Sequence, residues 1–224
     1  MDELIFDSPT GLYQDWLALH VSPPSTRRCA RIYMLSRQLT GEDREITEIA
    51  AAREFQILER LDHPVILKAD PPTECEYGSV LFFRRDPESV GLDHFLREEG
   101  DSLPVDQRLD ILRQIAEVIS YAHGRKIIHR SLSPQSILVK RDNKGRPLIQ
   151  NFNWQTGARL SGTGTSRVIT RLPLTLHSSQ LIEDSSLVYI APEAIAGNAD
   201  GTELDVFSLG ALTYLLFTGQ APAS

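Results

Sequence analysis

The sequence YAHGRKIIHRSLSPQSILV occupies residues 121–139 and carries the strongest structural signal in the chain. It begins in the last turns of a predicted helix that Pro104 opens and Gly124 ends, because proline suits a first helical turn and glycine a helix C-terminus. It ends in a short apolar run, residues 137–139, which a turn at residues 142–145 pairs with a second run as a predicted hairpin. A polar loop therefore lies between a helix and a hairpin.

The helix before this loop has apolar side chains at helical spacing, so one face is expected to be buried. The members of this predicted stripe are Val105, Leu109, Leu112, Ile115, Ala116, Ile119 and Ala122. A shorter helix is predicted at residues 92–98.

Upstream, the pattern predicts short strands and one helix. Two apolar segments, residues 13–19 and 29–35, flank a turn rich in Pro and Ser and form a predicted hairpin. Residues 46–61 have the apolar spacing of an amphipathic helix, and the following Pro64 stops it. Residues 65–68 and 79–83 are strand candidates.

Downstream, residues 154–190 form a long segment rich in Ser, Thr and Gly, and a loop of this length is usually functional or disordered. The last predicted helix, residues 203–217, is apolar on nearly every side, so we expect it to be buried on all faces. Because the chain ends soon afterwards, we expect partners of this helix to lie outside the sequence.

Composition excludes several classes of protein. The 224 residues are 41% hydrophobic and 24% charged, which is typical of a globular chain, and the net charge is −7. An acidic chain without a basic stripe is a poor nucleic-acid binder, and no apolar run is long enough to cross a membrane. Cys29 and Cys75 form neither a disulfide framework nor a zinc motif. We therefore expect no nucleic-acid partner, no membrane, no metal site and a cytoplasmic location.

Five stretches resemble eukaryotic-type Ser/Thr protein kinases. Residues 121–139 resemble the catalytic loop, whose family pattern is H-R-D-L-K-P-E-N. Four more stretches match family motifs in the same order. Residues 53–64 match the C helix and the turn after it, and residues 151–153 match the D-F-G motif. Residues 191–193 match the A-P-E motif, and residues 205–210 match the start of the F helix.

The resemblance implies a two-lobed α+β fold. The N-lobe, about residues 1–83, is expected to be a small antiparallel sheet with one helix. The C-lobe, residues 84–224, is expected to be helical and to stop after helix F. Residues 154–190 take the place of the activation segment.

The departures from the family pattern concern catalysis. Ser131 stands at the position of the catalytic Asp, and a neutral hydroxyl is a poor base. Ser133 replaces the catalytic-loop Lys, Ser136 replaces the Asn that binds Mg²⁺, and Asn151 replaces the D-F-G Asp. Mg²⁺ is usually held by carboxylates and phosphate oxygens. The resemblance therefore implies that ATP and Mg²⁺ bind weakly.

The family's phosphate-binding residues in the N-lobe are also replaced. The G-x-G-x-x-G loop aligns with residues 9–14, where only the middle glycine, Gly11, remains. The V-A-I-K motif aligns with residues 30–33, which places Arg31 over the adenine site and Tyr33 at the phosphate-binding Lys position. A register two residues earlier would place Arg31 at the Lys position, opposite Glu54 on the C helix, and both alternatives stay open.

Other matches are architectural. His129, Phe152 and Leu58 match members of the family's internal hydrophobic spine. Arg130 matches the arginine that binds a phosphorylated activation loop in many kinases. Asp205 matches the anchor of the catalytic loop, and Glu193 matches the A-P-E acid.

Three hypotheses about function follow. The first is a pseudokinase that acts as a scaffold or a regulatory module in signalling or defence. The second is a divergent active Ser/Thr kinase that transfers phosphate from ATP, and the third is a protein-interaction domain that binds no nucleotide. The expected partners are a protein or other domains of a longer chain, with association through an exposed C-lobe surface.

Overall fold

The computed structural model describes residues 3–7, 13–20, 26–34, 42–151, 154, 158–159, 187–195 and 201–223. The chain divides into two compact units. The first contains Met1–Arg60 and Leu67–Pro87, and the second contains Leu61–Ile66 and Glu88–Ser224. Residues 84–87 thus belong to the first unit and residues 61–66 to the second.

The first unit is an antiparallel sheet with one helix. Its strands are β1 (Glu3–Asp7), β2 (Tyr13–His20), β3 (Thr26–Met34), β4 (Thr73–Cys75) and β5 (Gly78–Phe83), in the spatial order β1-β2-β3-β5-β4. Helix α1 (Glu42–Arg60) follows β3. The structure confirms the predicted hairpin as β2 and β3, whereas β1 was not predicted.

Strand β3 is central in this sheet, paired with β2 and β5 at its two edges, and side chains on both of its faces are buried. Ala30 and Ile32 pack with Val80 of β5 on one face. Arg31 and Tyr33 alternate with them and lie on the other face, because successive side chains of a strand point to opposite sides. On α1, the buried side chains include Ala51, Glu54, Ile57 and Leu58.

The second unit is mainly helical. Its helices are α2 (Leu92–Glu99), α3 (Val105–Gly124), α4 (Pro192–Ile195) and α5 (Glu203–Thr218). Its short strands are β6 (Val90–Gly91), β7 (Ile127–Ile128), β8 (Ile137–Arg141), β9 (Pro147–Asn151) and β10 (Ala158–Arg159). Strands β6, β8 and β9 form one sheet, and β7 pairs with β10. The sheet in the first unit and the helices in the second confirm the expected α+β fold.

The segment at residues 61–66 belongs to the second unit because α3 and β9 hold it. The Tyr121 hydroxyl accepts the backbone N–H of Asp62 at 2.9 Å and donates to its carbonyl at 2.6 Å. The backbone N–H of Asn151 donates to the Val65 carbonyl at 2.6 Å. The strand predicted at residues 65–68 is wrong, since Ile66 makes only an isolated bridge there.

The predicted buried stripe of α3 is partly wrong. Val105 and Leu109 are 62% and 51% exposed, whereas Ile111 and Val118, which the prediction left out, are completely buried. The buried face is therefore rotated towards Ile111, Ile115, Val118, Ile119 and Ala122, because neighbouring elements rather than the helix alone decide which face is covered.

Helix α5 was expected to require burial on all sides with partners that lie outside the sequence, and in the described chain one side of it is exposed. Leu204, Ala211, Leu212 and Leu216 are buried, but one side of the helix is exposed. We define the α5 surface as the exposed side chains Val206, Phe207, Tyr214 and Phe217.

Within the described residues, no helix combines the length and the apolar character that crossing a bilayer requires.

Candidate functional site

The first unit contains a buried cluster of charged and phenolic side chains, which we call the Arg31 cluster: Asp15, Arg31, Tyr33 and Glu54. Arg31 donates from Nε and Nη2 to the two Asp15 carboxylate oxygens, both at 2.8 Å. Its Nη1 donates to the two Glu54 oxygens at 3.0 and 3.2 Å. The Tyr33 hydroxyl donates to Glu54 Oε2 at 2.5 Å.

This geometry bears on the two alignments of β3. Arg31 forms the ion pair with Glu54, as expected from the register that places Arg31 at the Lys position. Tyr33 reaches the same carboxylate, since residues two apart on a strand lie on one face. Glu54 therefore pairs with both side chains, with Arg31 as an ion pair and with Tyr33 through a hydrogen bond, and a cation lies beside this acid.

Aromatic rings complete the surroundings of the guanidinium. The Arg31 Cζ atom lies 4.4 Å from the Tyr13 ring centroid and 5.4 Å from that of Phe83. Burial alone would lower the pKa of Arg31, but the charges of Asp15 and Glu54 outweigh it and hold that pKa well above its ordinary value. Burial, reinforced by Glu54, raises the pKa of Tyr33 well above its ordinary value. Arg31 is a cation and Tyr33 a neutral donor at neutral pH.

The second unit contains the loop that the resemblance assigns to catalysis. Asp205, fully buried on α5, accepts the backbone N–H groups of His129 and Arg130 on separate carboxylate oxygens, both at 2.8 Å. Oδ2 also lies 2.8 Å from Nε2 of His123, near the end of α3. The backbone at Arg130 has a φ of +72°, an uncommon conformation for a residue with a side chain. Asp205 therefore holds the start of the loop in a strained shape.

The serines of this loop bond to each other through the backbone. The Ser136 hydroxyl accepts the Ser133 N–H at 3.0 Å and donates to the Ser133 carbonyl at 2.8 Å. Ser136 is completely buried, Ser133 is buried and Ser131 is half-buried. The hydroxyl hydrogen of Ser136 and one of its two lone pairs are engaged within the loop, which leaves one lone pair for any further ligand.

Asn151 ends β9, opposite Ile137 on β8. Its side chain is completely buried, and neither Oδ1 nor Nδ2 has a hydrogen-bond partner among the residues that the structure describes. Trp154 is also completely buried, and its ring lies 4.5 Å from that of His129. The Nε1 of Trp154 likewise lacks a partner among those residues.

The residues at the two metal positions do not fit Mg²⁺. This ion prefers octahedral oxygen ligands that include one or two carboxylates. At these positions Ser136 offers one remaining lone pair of a neutral hydroxyl, and Asn151 offers an uncharged amide, so neither supplies a carboxylate. Over the described ranges, no group of three or more His, Cys, Asp or Glu side chains could hold a metal ion.

Some of the sequence-predicted residues lie outside the described residues. These are Gly11, Phe152, Asn153 and most of residues 154–190. The structure gathers Arg31, Tyr33 and Glu54 in the first unit. It gathers Arg130, Ser131, Ser133 and Ser136 in one loop of the second unit.

Sequence reasoning missed two residues. Asp15 was overlooked, although a lone acid in an apolar strand signals a buried partner because an unpaired charge there is costly. Trp154 was overlooked because it follows the D-F-G-like motif in a segment interpreted as a loop.

A family model described as a protein kinase domain matches residues 28–224. The probable kinase PglW of Streptomyces coelicolor is 38% identical over 236 residues, which cover 98% of this chain and 15% of that protein. The Ser/Thr-protein kinase PkaA of the same species is 30% identical over 76% of this chain and 28% of its own length. The mitochondrial Ser/Thr-protein kinase ppk24 of Schizosaccharomyces pombe is 29% identical over 86% of this chain and 40% of its own length. The chain thus spans less than half the length of these relatives.

Proposed function

Because this chain belongs to the protein kinase domain family, we propose that it is a pseudokinase, a kinase fold that works as a scaffold or regulatory module in signalling or defence. It binds Mg·ATP weakly or not at all and transfers no phosphate at the rate of a kinase.

The observation that carries this proposal is the chemistry at the two metal positions. Asn151 presents a buried amide where the family has a carboxylate, and Ser136 is bonded to Ser133. Catalysis of phosphoryl transfer depends almost entirely on positioning and on electrostatic stabilisation by metal ions and charged groups. Loss of one preorganised electrostatic group typically costs about 10²–10³ in rate, and such groups act together. Ser131 removes the general base as well.

The test measures transfer and binding on the same preparation. We expect no transfer of radiolabelled phosphate from ATP to a generic protein substrate above the background of a denatured sample. Calorimetric titration with ATP and Mg²⁺ should give no micromolar affinity. Transfer at rates typical of kinases, or low-micromolar binding that requires Mg²⁺, would contradict the proposal.

A restored variant provides the positive control. It combines Ser131→Asp, Ser136→Asn and Asn151→Asp with a lysine at position 31 or 33, and with Asp15→Ala, since the Asp15 carboxylate pairs with the side chain at position 31. Base, metal ligands and phosphate-binding lysine then return together. We expect measurable transfer only from this combination, since Ser131→Asp alone leaves the metal unheld.

A divergent active Ser/Thr kinase is the second candidate. It is favoured by the Arg31–Glu54 ion pair at 3.0 Å, which keeps a cation on β3, and by relatives whose names describe kinases. This candidate predicts transfer by the unmodified chain, which the same assay decides.

The third candidate is a protein-interaction domain that binds no nucleotide. The exposed apolar α5 surface favours it. The pseudokinase proposal and this candidate share the same expected partners, namely a protein or further domains of a longer chain. Both propose a cytoplasmic protein that binds neither nucleic acid nor membrane. Absence of any thermal stabilisation by nucleotides, with or without Mg²⁺, would favour this candidate over a nucleotide-binding pseudokinase.

A further inference from the structure

The guanidinium of Arg31 is enclosed by two carboxylates from two different elements. Asp15 on β2 accepts from the edge formed by Nε and Nη2, and both carboxylate oxygens of Glu54 on α1 lie within hydrogen-bond distance of Nη1. All three nitrogens of the guanidinium are therefore engaged. Arg31 and Glu54 are completely buried, and Asp15 is 3% exposed.

The contact with Asp15 has the geometry by which arginine binds oxyanions. Two parallel N–H···O bonds of 2.8 Å form a bidentate pair, the arrangement that arginine also uses for phosphate. A phosphate group could bind this edge only by displacing the Asp15 carboxylate. Two acids around one cation also leave the Arg31 cluster with an excess of negative charge, which would repel a phosphate chain.

We propose that Asp15 is an internal anion that occupies the phosphate-binding edge of Arg31. The Arg31–Glu54 ion pair is then held together without any ligand, and phosphate-bearing ligands are excluded from this arginine. Removal of the Asp15 carboxylate exposes a latent site for a polyphosphate. This inference rests on the proposed function, because it gives a cause within the first unit for weak nucleotide binding.

A purely structural role for Asp15 makes a different prediction. If Asp15 only neutralises a buried arginine, its replacement lowers stability and creates no new binding. If Asp15 takes the place of a phosphate, replacement lowers stability and also creates anion binding that depends on Arg31.

The experiment follows the thermal unfolding midpoint of the complete chain as metal-free sodium tripolyphosphate is added. For Asp15→Ala we expect a lower midpoint without the anion and a saturable rise with it, with an apparent affinity at least tenfold above that of the unmodified chain. Sulfate at equal ionic strength controls for salt. Glu59→Ala, at an exposed position of α1, controls for the change in net charge and should behave like the unmodified chain.

The double variant Asp15→Ala/Arg31→Met should lose the response, which places the binding at Arg31. An Asp15→Ala chain that unfolds cooperatively and does not respond to tripolyphosphate would overturn the inference. Asp15→Asn is the milder variant, because it keeps the shape and one acceptor oxygen.

A measurement on the unmodified chain decides the matter if neither variant folds. The Arg31 Nε–H resonance of ¹⁵N-labelled protein should not shift when tripolyphosphate is added, and a saturable shift would overturn the inference. The proposed function fails separately, on phosphate transfer or Mg·ATP binding by the unmodified chain.

Discussion

At the scale of single residues, Asp205 connects the helices of the second unit to the loop at residues 129–136. Each of its two carboxylate oxygens accepts one backbone N–H, and His123 lies within hydrogen-bond distance of one of them. An asparagine has the same shape but only one oxygen, so its NH₂ group would face a backbone donor. The carboxylate is therefore required for both contacts.

We predict that Asp205→Asn lowers the free energy of unfolding by about 1.5–3 kcal/mol, the usual worth of a hydrogen bond to a charged group. Urea unfolding followed by circular dichroism measures this loss. The matched control is Asp110→Asn, whose carboxylate is partly exposed and, among the described residues, lies 3.6 Å from Arg113. If the two variants were equally stable, the anchoring role of Asp205 would be wrong.

The buried thiol of Cys29 makes the free energy of unfolding depend on pH in alkaline solution. Burial, reinforced by the nearby charge of Asp15, raises the pKa of its thiol from 9.0 to about 12 in the folded chain. The unfolded chain releases the thiol proton at lower pH than the folded chain, so it binds fewer protons and stability falls as pH rises from about 9 towards 12. The slope from one such group is at most about 1.4 kcal/mol per pH unit.

We therefore expect Cys29→Ala to flatten the decline in unfolding free energy between about pH 9 and pH 10, where the ordinary thiol ionises. Tyr33, whose pKa is also raised, contributes to the decline at higher pH in both chains. Cys75→Ala, at an exposed thiol, should retain the slope of the unmodified chain. Equal slopes for all three chains would show that Cys29 ionises freely when folded.

At the scale of elements, Arg108 of α3 joins three chain segments. Its Nε donates to the Leu103 carbonyl at 2.9 Å, and its two Nη atoms donate to the carbonyls of Gly100 and Leu216. Leu216 lies in the last turn of α5, where backbone carbonyls have no partners within the helix. The planar fork of an arginine is needed to reach all three.

We predict that Arg108→Lys lowers the unfolding free energy by about 1–3 kcal/mol, because a lysine cannot reproduce the fork and leaves partly buried carbonyls without donors. Thermal and urea unfolding measure the effect. Arg113→Lys on the same helix is the control, since Arg113 is 60% exposed and its ion pairs within the described part of the chain lie at the surface, where such pairs contribute little. A loss of the same size in both variants would refute this role of Arg108.

At the scale of the whole molecule, the α5 surface exposes apolar side chains to solvent. It lies on the second unit, which also has a groove of about 770 Å³ lined by residues that include Leu96, Tyr189 and Phe217. Leaving two or three large apolar side chains in water forgoes about 1.5–3 kcal/mol each, a substantial part of a stability of about 5–15 kcal/mol.

We predict that the polypeptide of residues 1–224 associates or binds a hydrophobic dye through the α5 surface. Phe207→Ser combined with Phe217→Ser should reduce both effects, whereas Leu148→Ser, at an exposed site on β9, should not. Size-exclusion chromatography with light scattering and dye fluorescence give the answer. A monomer that does not bind the dye would contradict the prediction.

The sequence by itself determined the family and most of the elements. Five motifs in the right order identified the kinase fold, and periodicity with Pro and Gly signals located α1, α2, α3, α5 and the β2–β3 and β8–β9 hairpins. These features are encoded by neighbours a few residues apart, so a pattern in the chain suffices to find them. The replacement residues Ser131, Ser136 and Asn151 are visible for the same reason.

Only the tertiary structure decided which side chains meet. Arg31 lies 16 residues from Asp15 and 23 from Glu54, so neither contact leaves a local pattern in the chain. The pairing of Glu54 with both Arg31 and Tyr33, and the rotation of the buried face of α3, depend on how strands and helices pack. Packing is set by contacts between distant segments, because burial and hydrogen bonding are optimised over the whole unit and not along the chain.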